Sequence, residues 1–328
     1  MLMHIAEALR ELGRDVTVVA PRHPPALADA ARAKGLDVEV LDAHDRVTWM
    51  LALRRWDRRR GGILWCNGLV PAAATAGRPN RIVHLHQYVN GAKGVVARVA
   101  QMGALLTVVP SQHVAATVPG SVVLLNWTDD FAPAARSRRP DGPFVVGYLG
   151  RLGMNKGVHV LAAAIGELDR RMPGRVRLRL AGESRFVDPR ASHVLEEALA
   201  GVEPLTDRVG WVAPQALFDA VDVLVVPSIV AESFGLVAAE AMSARVPVIV
   251  SDAGALPEVV GPAHGLIVPA GDRDALVVAV AALAQQSAEA GTVDQRLRWE
   301  KMFSPAAGRE RVAALMETVA RSTAGRER

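Results

Sequence analysis

Residues 224–259 constrain the fold more than any other part of the chain, because two buried strands and two turns flank a single helix. Val223 to Val226 form a short apolar run that ends at a proline, which is typical of a central strand in a parallel sheet. A helix that continues through Ala244 follows, and we expect Ser233 to be its N-cap. A second apolar run comes directly after the helix. This order of elements predicts a parallel α/β sheet.

Two glutamates in this segment occupy positions suited to polar chemistry. Glu232 lies on the turn before the helix, and Glu240 lies two turns into it among apolar residues. With Ser233 as the cap, the next three N–H groups, at the positive end of the helix dipole, are free to bind a phosphate. Glu240 either reaches solvent or accepts hydrogen bonds from a polyhydroxy ligand. Two solvated helix acids are the alternative interpretation.

The spacing of these residues resembles the signature of the retaining, nucleotide-sugar-dependent glycosyltransferases of family four, which have the GT-B fold. The resemblance rests on Glu232-Ser-Phe-Gly-Leu-Val-Ala-Ala-Glu240, where seven residues separate the two glutamates. Residues 147–157, Gly-Tyr-Leu-Gly-Arg-Leu-Gly-Met-Asn-Lys-Gly, look like the family's strand and turn whose cations hold the donor diphosphate. Further matches follow in order: Ala181-Gly-Glu183, Val209-Gly-Trp211 and Gly265-Leu-Ile-Val-Pro-Ala-Gly271.

The resemblance implies an α/β chain with two Rossmann-like, doubly wound parallel-sheet domains that face a cleft. The implied catalytic residues are Glu232 for the donor sugar, Arg151 and Lys156 for the leaving diphosphate, and His86 near the acceptor. Glu240 would hold the ribose. The other implied substrate-binding residues are Ser233, Phe234, Gly235, Leu236, Gly150, Gly182, Glu183, Trp211 and Asn67. Surface cations and a structural histidine are the alternative interpretations of Arg151, Lys156 and His86.

The implied reaction moves a sugar from a nucleotide-diphosphate sugar to an acceptor hydroxyl of unknown type, with retention at the anomeric carbon. The leaving phosphate helps to deprotonate the acceptor. No metal or other cofactor is expected, since the cations and the helix N-terminus take the place of a metal ion. We interpret Asp272-Arg273-Asp274 as an N-cap with an acidic first turn, not as a metal-binding carboxylate pair.

The strand and helix patterns predict four segments along the chain. Residues 1–131 form an N-terminal acceptor-side domain, 132–143 a proline-rich linker, 144–300 a C-terminal nucleotide-sugar-binding domain, and 301–328 a helix that returns to the first domain. The first domain begins directly in a helix, so the family's first strand is missing. We therefore expect an unpaired edge on the strand from Asp15 to Ala20, and either a natural product that begins upstream or a loosened N-terminal domain in a chain that binds the donor and transfers poorly.

Charge and cysteine content narrow the class of partner and the compartment. The net charge is +4, from 38 Lys and Arg against 34 Asp and Glu, which fits an anionic small substrate and does not indicate nucleic acid. Two Arg-rich stretches, 54–60 and 136–139, are expected to be a solvated helix end and a solvated linker, with peripheral membrane contact as the alternative. The single cysteine, Cys66, excludes an intramolecular disulfide. With no signal-peptide pattern or membrane span, a cytoplasmic protein is expected.

Other functions remain open from the sequence. A nucleotide-sugar epimerase has the same two-domain plan, and a catalytically impaired relative would bind the donor without transfer. Arg245 supports the second alternative, because it stands where the family usually has glycine after its signature helix. A nicotinamide-dependent dehydrogenase requires Gly-x-Gly-x-x-Gly after a strand, whereas Gly147, Gly150 and Gly153 are spaced by three residues.

Overall fold

The computed structural model describes residues 1–89, 91–133, 142–184, 189–285 and 292–324. The chain divides into two compact units: unit 1 comprises residues 1–127 and 305–328, and unit 2 comprises residues 128–304. The sequence analysis places these boundaries at 131 and 301. The Thr128 N–H donates to the Phe303 carbonyl at 3.0 Å, so the first and last parts of unit 2 are hydrogen-bonded to each other. Most of the expected linker, residues 134–141, lies outside the described residues.

Strands and helices alternate through both units. The strands are β1 Thr17–Pro21, β2 Asp37–Leu41, β3 Leu64–Asn67, β4 Arg81–His84, β5 Leu106–Val109, β6 Val122–Val123, β7 Phe144–Leu149, β8 Val176–Ala181, β9 Thr206–Gly210, β10 Val223–Val226, β11 Val248–Ser251 and β12 Ile267–Val268. The helices are α1 Leu2–Glu11, α2 Ala26–Ala33, α3 Arg46–Trp56, α4 Leu69–Ala74, α5 Ala92–Gln101, α6 Gln112–Ala115, α7 Val158–Arg171, α8 Pro189–Ala200, α9 Pro214–Phe218, α10 Leu236–Ser243, α11 Leu256–Val260, α12 Arg273–Gln285, α13 Thr292–Met302 and α14 Pro305–Ala324.

Unit 1 contains two separate parallel sheets. Strands β1 and β2 form one of them, and the other has the order β3-β4-β5-β6. Within the described residues, β1 pairs only with β2 and β3 pairs only with β4. Each therefore has one edge without strand pairing in that part of the chain, as expected for β1.

Helices cover both faces of the four-stranded sheet. Ile82 and Val108 point to a core that they share with Ile5 of α1 and Val312 of α14. Val83, on the opposite parity, belongs to a second core with residues of α4, α5 and α6. Strand β4 is thus buried along its whole length. Because both faces are covered, the adjacent residues Ile82 and Val83 are both apolar.

A buried cation fixes the beginning of β4. Arg81 is fully buried, and its guanidinium donates to the carbonyl oxygens of Ala72, Ala100 and Met102 at 2.6–3.1 Å. Ala72 lies on α4, and the other two residues lie at the end of α5, where the negative end of the helix dipole favours a positive charge. The guanidinium therefore joins two helices to the strand that leads to His86.

Unit 2 is built on one six-stranded parallel sheet with the order β12-β11-β10-β7-β8-β9. Its largest core cluster includes Val146, Val223 and Ile249 from three neighbouring strands, together with residues of α7 and α12. Asp272 caps α12, since its Oδ1 accepts the Ala275 N–H at 2.9 Å, and Asp274 lies in the first turn. The interpretation of this acidic triplet as a helix cap is confirmed.

The end of α10 has a left-handed residue with a side chain. Arg245 has a φ of 57°, and the Val246 N–H donates to the Ala241 carbonyl at 2.8 Å while the Arg245 N–H donates to the Met242 carbonyl at 3.2 Å. This is a Schellman motif, whose left-handed position favours glycine. The side chain of Arg245 is exposed.

We expect Arg245→Gly to raise the stability of the protein by about 1 kcal/mol, because glycine removes the left-handed strain. A shift of that size corresponds to a rise of roughly 2–4 °C in Tm. Thermal unfolding of the variant beside Arg245→Ala measures it. The alanine variant keeps the strain and should melt with the wild type; equal melting of all three proteins would contradict the argument.

Candidate functional site

In unit 2, three turns at the carboxyl edge of the sheet pack closely through glycines. A Cβ atom on Gly157, after β7, would lie 1.8 Å from the carbonyl oxygen of Pro227, after β10. A Cβ atom on Gly182, after β8, would lie 1.8 Å from the carbonyl oxygen of Gly150. Both glycines also have positive φ angles, of 71° and 139°. Only glycine fits at these two positions, which bring the turns after three neighbouring strands to one place.

Two of the predicted catalytic residues contact each other at this edge. Lys156 Nζ lies 2.5 Å from Glu232 Oε1, and Ser228 Oγ donates to the same oxygen at 2.5 Å. The side chains are 25% and 18% exposed, so the pair is screened from water but not sealed from it. The Ala255 N–H donates to the Glu232 carbonyl at 2.8 Å and holds its backbone in place. The ion pair therefore places a fixed cation beside a fixed carboxylate.

Arg151 lies on the same turn as Lys156. Its carbonyl accepts a hydrogen bond from the Tyr148 hydroxyl at 2.6 Å, while its side chain is exposed. Burial raises the pKa of Tyr148 well above its ordinary value, so the phenol stays protonated and can act as this donor. This hydrogen bond anchors the turn, and the guanidinium of Arg151 faces solvent.

The predicted N-cap at Ser233 is wrong. The helix α10 begins at Leu236 with Gly235 as the N-cap, at a φ of 104° and without a side-chain cap. A parallel bridge pairs Glu232 with Gly254, the chain bends at Ser233, and Gly235 is the last residue before the helix. The first N–H groups of the helix are consequently those of Leu236 and Val237.

Phe234 and Leu236 differ in their surroundings. The Phe234 side chain is buried, and its ring packs edge-on against Phe303 with centroids 5.5 Å apart. Leu236 is exposed at the first position of α10. Phe234 therefore anchors the turn in the core, and its N–H lies before the first helical turn.

Glu240 has an environment unlike that of Glu232. Burial raises the pKa of its carboxyl to about 7, and the negative charge of Asp129 adds to that effect. A carboxyl group in this state exchanges its proton near neutral pH. Hydrogen bonds from the hydroxyl groups of a ligand favour the ionised form.

In unit 1, Asn67, the last residue of β3, and His86, just after the neighbouring strand β4, form a hydrogen bond. His86 Nε2 lies 2.7 Å from Asn67 Oδ1, and an amide oxygen only accepts, so Nε2 carries the proton. The lone pair of Nδ1 then remains available as an acceptor. Burial lowers the pKa of His86 to about 4, which keeps the imidazole neutral at physiological pH.

Trp65 and His84 make a polar contact beside this pair; the parity of His84 indicates a core position or a structural hydrogen bond, but sequence reasoning did not identify Trp65 as its partner. Trp65 Nε1 donates to His84 Nδ1 at 3.3 Å, so His84 carries its proton on Nε2. That Nε2 is buried without a hydrogen-bond partner in the described residues, and the His84 ring lies 3.9 Å from the His86 ring between centroids. Burial lowers the pKa of His84 well below its ordinary value. The pairing of β3 with β4 aligns Asn67 with His84 and brings these side chains together.

The two candidates for a base pocket lie after β8 and β9. The Leu152 N–H donates to the Glu183 carbonyl at 3.2 Å, and the Gly182 N–H donates to the Gly210 carbonyl at 2.7 Å. Trp211 is 77% exposed, which is unusual for so large an apolar side chain. These contacts place both residues at the same edge of the sheet as Lys156.

Within the described residues, no group of three or more His, Cys, Asp and Glu side chains has an arrangement that can hold a metal ion. No helix in the same part of the chain is long and apolar enough to cross a membrane.

Comparison with known proteins matches the second half of the chain to an enzyme family. Residues 143–286 match the family described as Glycosyl transferases group 1. A D-inositol 3-phosphate glycosyltransferase of Rhodococcus erythropolis is 34% identical over 174 residues, which are 48% of this chain and 39% of that protein. A glycogen synthase of Mycobacterium tuberculosis is 35% identical over 128 residues, 39% of this chain and 30% of that enzyme. The matches thus span well under half of these relatives.

Solved structures match nearly the whole chain. Anabaena HepE, in a crystal structure described as a complex with UDP and glucose, has a TM-score of 0.80 at 20% identity, covering 96% of this chain and 94% of that one. A sucrose-phosphate synthase from Thermosynechococcus elongatus has a TM-score of 0.69 at 23% identity, covering 98% and 90%. The expected α/β fold of GT-B type, with two parallel-sheet Rossmann-like domains, is confirmed.

Proposed function

We propose that this chain, whose second domain belongs to the group 1 glycosyl transferases, moves a sugar from a nucleotide-diphosphate sugar to an acceptor hydroxyl with retention of configuration. The contact between Lys156 and Glu232 carries the proposal. A leaving diphosphate develops negative charge, and Lys156 is a cation already fixed at the carboxyl edge of a parallel sheet, where ligands of such sheets bind.

The other residues of unit 2 have roles that follow from their positions. Arg151 offers a solvent-facing guanidinium for the same diphosphate, and the first N–H groups of α10 can donate hydrogen bonds to a phosphate oxygen. Glu232 would hold hydroxyl groups of the donor sugar, and Glu240 those of the ribose. Glu183 and Trp211 would flank the base. Donor binding in this arrangement needs no divalent metal, since the cations supply the neutralising charge.

The residues of unit 1 would serve the acceptor. His86 presents a neutral imidazole whose Nδ1 can accept a hydrogen bond, while Asn67 holds the ring in that orientation. An imidazole with a pKa of about 4 is a weak base at neutral pH, so His86 orients a hydroxyl group and the leaving phosphate takes its proton.

The test is a transfer assay in the presence of a chelator. UDP-glucose is the first donor to try, with mixed sugar and cyclitol acceptors, because HepE has been crystallised with that donor. We expect a glycosylated product by mass spectrometry, undiminished by EDTA, and an anomeric configuration equal to that of the donor by NMR. A strict metal requirement or an inverted product would overturn the mechanism.

Glu232→Gln is the matched control in that assay. It should abolish transfer with little change in Tm, since the side chain serves the donor sugar and is not part of the core. A large loss of stability would favour a structural role for Glu232. Epimerised donor without transfer would identify an epimerase, and donor binding without any reaction would identify a catalytically impaired relative.

A further inference from the structure

The outward face of α5 in unit 1 is apolar. Val95, Val96, Val99 and Met102 are 59%, 41%, 47% and 61% exposed, and they lie at the positions i, i+1, i+4 and i+7. This spacing places them on one side of a helix. Ala97 and Ala100, on the other side, are buried against the sheet. The helix therefore exposes an apolar stripe in addition to the apolar side that packs against the sheet.

Helix α3 also exposes apolar and cationic residues. Both α3 and α5 pack against α4, so the three helices form one layer. Val47 and Leu51 of α3 are 66% and 65% exposed, and Arg55 and Arg58 follow at helical spacing with exposed side chains.

The charge of this layer has a single sign over most of its length. From Arg58 to Thr128 the sequence contains no Asp or Glu. The exposed cations of α3, α5 and the turn after α3 are Arg46, Arg54, Arg55, Arg58, Arg59, Lys93 and Arg98. Among the acids near them, Asp57 is buried and paired with Arg60, whereas Asp45, the N-cap of α3, is exposed beside Arg46.

From this combination we propose that the α3–α5 layer binds the surface of a membrane that contains anionic lipids. Exposed valine, leucine and methionine side chains can enter the boundary between headgroups and acyl chains, while flanking arginine and lysine side chains bind the phosphates. The occupant is a lipid surface and not a second copy of the chain, because a self-complementary contact would bring the cations of both copies together. The surface is independent of the residues assigned to the donor.

Vesicle sedimentation with the full chain tests the proposal. The wild type should pellet with vesicles of phosphatidylcholine and phosphatidylglycerol, and remain in the supernatant with phosphatidylcholine alone. Val95→Asp/Val99→Asp should weaken binding by roughly tenfold or more, since it removes apolar contacts and adds repulsion. Arg55→Glu/Arg58→Glu should weaken it by at least about fivefold per residue and reduce its dependence on salt.

Val278→Asp is the matched control, because Val278 is 64% exposed on α12 of unit 2. It should bind vesicles as the wild type does, and circular dichroism should show that all variants fold. The proposal is overturned if the wild type stays in the supernatant with anionic vesicles, or if the α5 variant still pellets. It is also overturned if sedimentation velocity shows a wild-type dimer that the α5 variant dissociates and that does not bind vesicles.

Discussion

Lys156→Met is expected to lower turnover by roughly 100-fold or more and to weaken nucleoside diphosphate binding by about 10-fold to 100-fold. The methionine keeps much of the length of the side chain and removes the charge that would neutralise the leaving diphosphate. Calorimetric titration with UDP and the initial rate of transfer measure the two effects. Lys301→Met is the control, since Lys301 is an exposed cation at the end of α13 in the same unit.

The contact of Lys156 with Glu232 predicts that loss of the Glu232 charge has the opposite effect on UDP affinity from loss of the Lys156 charge. In the free protein the carboxylate shares the cation with any incoming diphosphate and repels its charge. Glu232→Gln should therefore bind UDP as tightly as the wild type, or several-fold more tightly, while transfer is lost. The double variant Lys156→Met/Glu232→Gln should be little worse in transfer than either single variant, because the effects of substitutions at residues that act as a unit are not additive. Weaker UDP binding by Glu232→Gln would place this carboxylate on the diphosphate itself.

The sequence predicted elements wherever local pattern and tertiary environment agreed. Strand β10 was predicted at its observed bounds. Its apolar residues are followed by Pro227, which cannot donate to the hydrogen-bond ladder of a sheet and therefore ends the strand. The helix cap at Asp272 was predicted for a similar reason, since the acid precedes an apolar helix and nothing else competes for it.

The start of α10 could not be predicted, because it depends on contacts far away in the sequence. Ser233 has the residue type of an N-cap, but Glu232 before it is paired with Gly254, and the chain bends at Ser233. Gly235, which also packs close to Leu256, is the last residue before the helix. Local propensity was overridden by a strand pairing that no window of sequence contains.

The same limit applies to the site. The glycines around Lys156 indicated a phosphate-binding turn, and the resemblance to a family indicated Glu232. The 2.5 Å contact between Lys156 and Glu232, however, joins residues 76 positions apart. The protonation states of His84 and His86 depend on Trp65 and Asn67, which lie on another strand. Burial sets the pKa of His86 and of Glu240, and the sequence alone does not show how deeply a single residue is buried.

Glu240→Gln is expected to lose about 10-fold to 100-fold in UDP affinity, since a carboxylate that accepts two ribose hydroxyl groups is replaced by an amide. In the wild type, affinity should fall as the pH drops below about 7, because Glu240 then binds a proton that the ribose must displace. The variant should show no such dependence. Titration between pH 5.5 and 8.5, on both sides of the raised pKa of about 7, measures both effects.

Stability should change in the opposite direction. The folded-state pKa of Glu240, about 7, lies above its ordinary value of 4.5, so the folded protein binds the extra proton between these values and loses stability as the pH rises through them. At pH 8 we therefore expect Glu240→Gln to be more stable than the wild type by about 1–3 kcal/mol, with the difference absent below about pH 4.5. Glu317→Gln, at an exposed position on α14, should change neither quantity. A variant that binds UDP like the wild type but is still more stable would show that Glu240 is a buried acid without a ligand, and the ribose would have to be held by another residue.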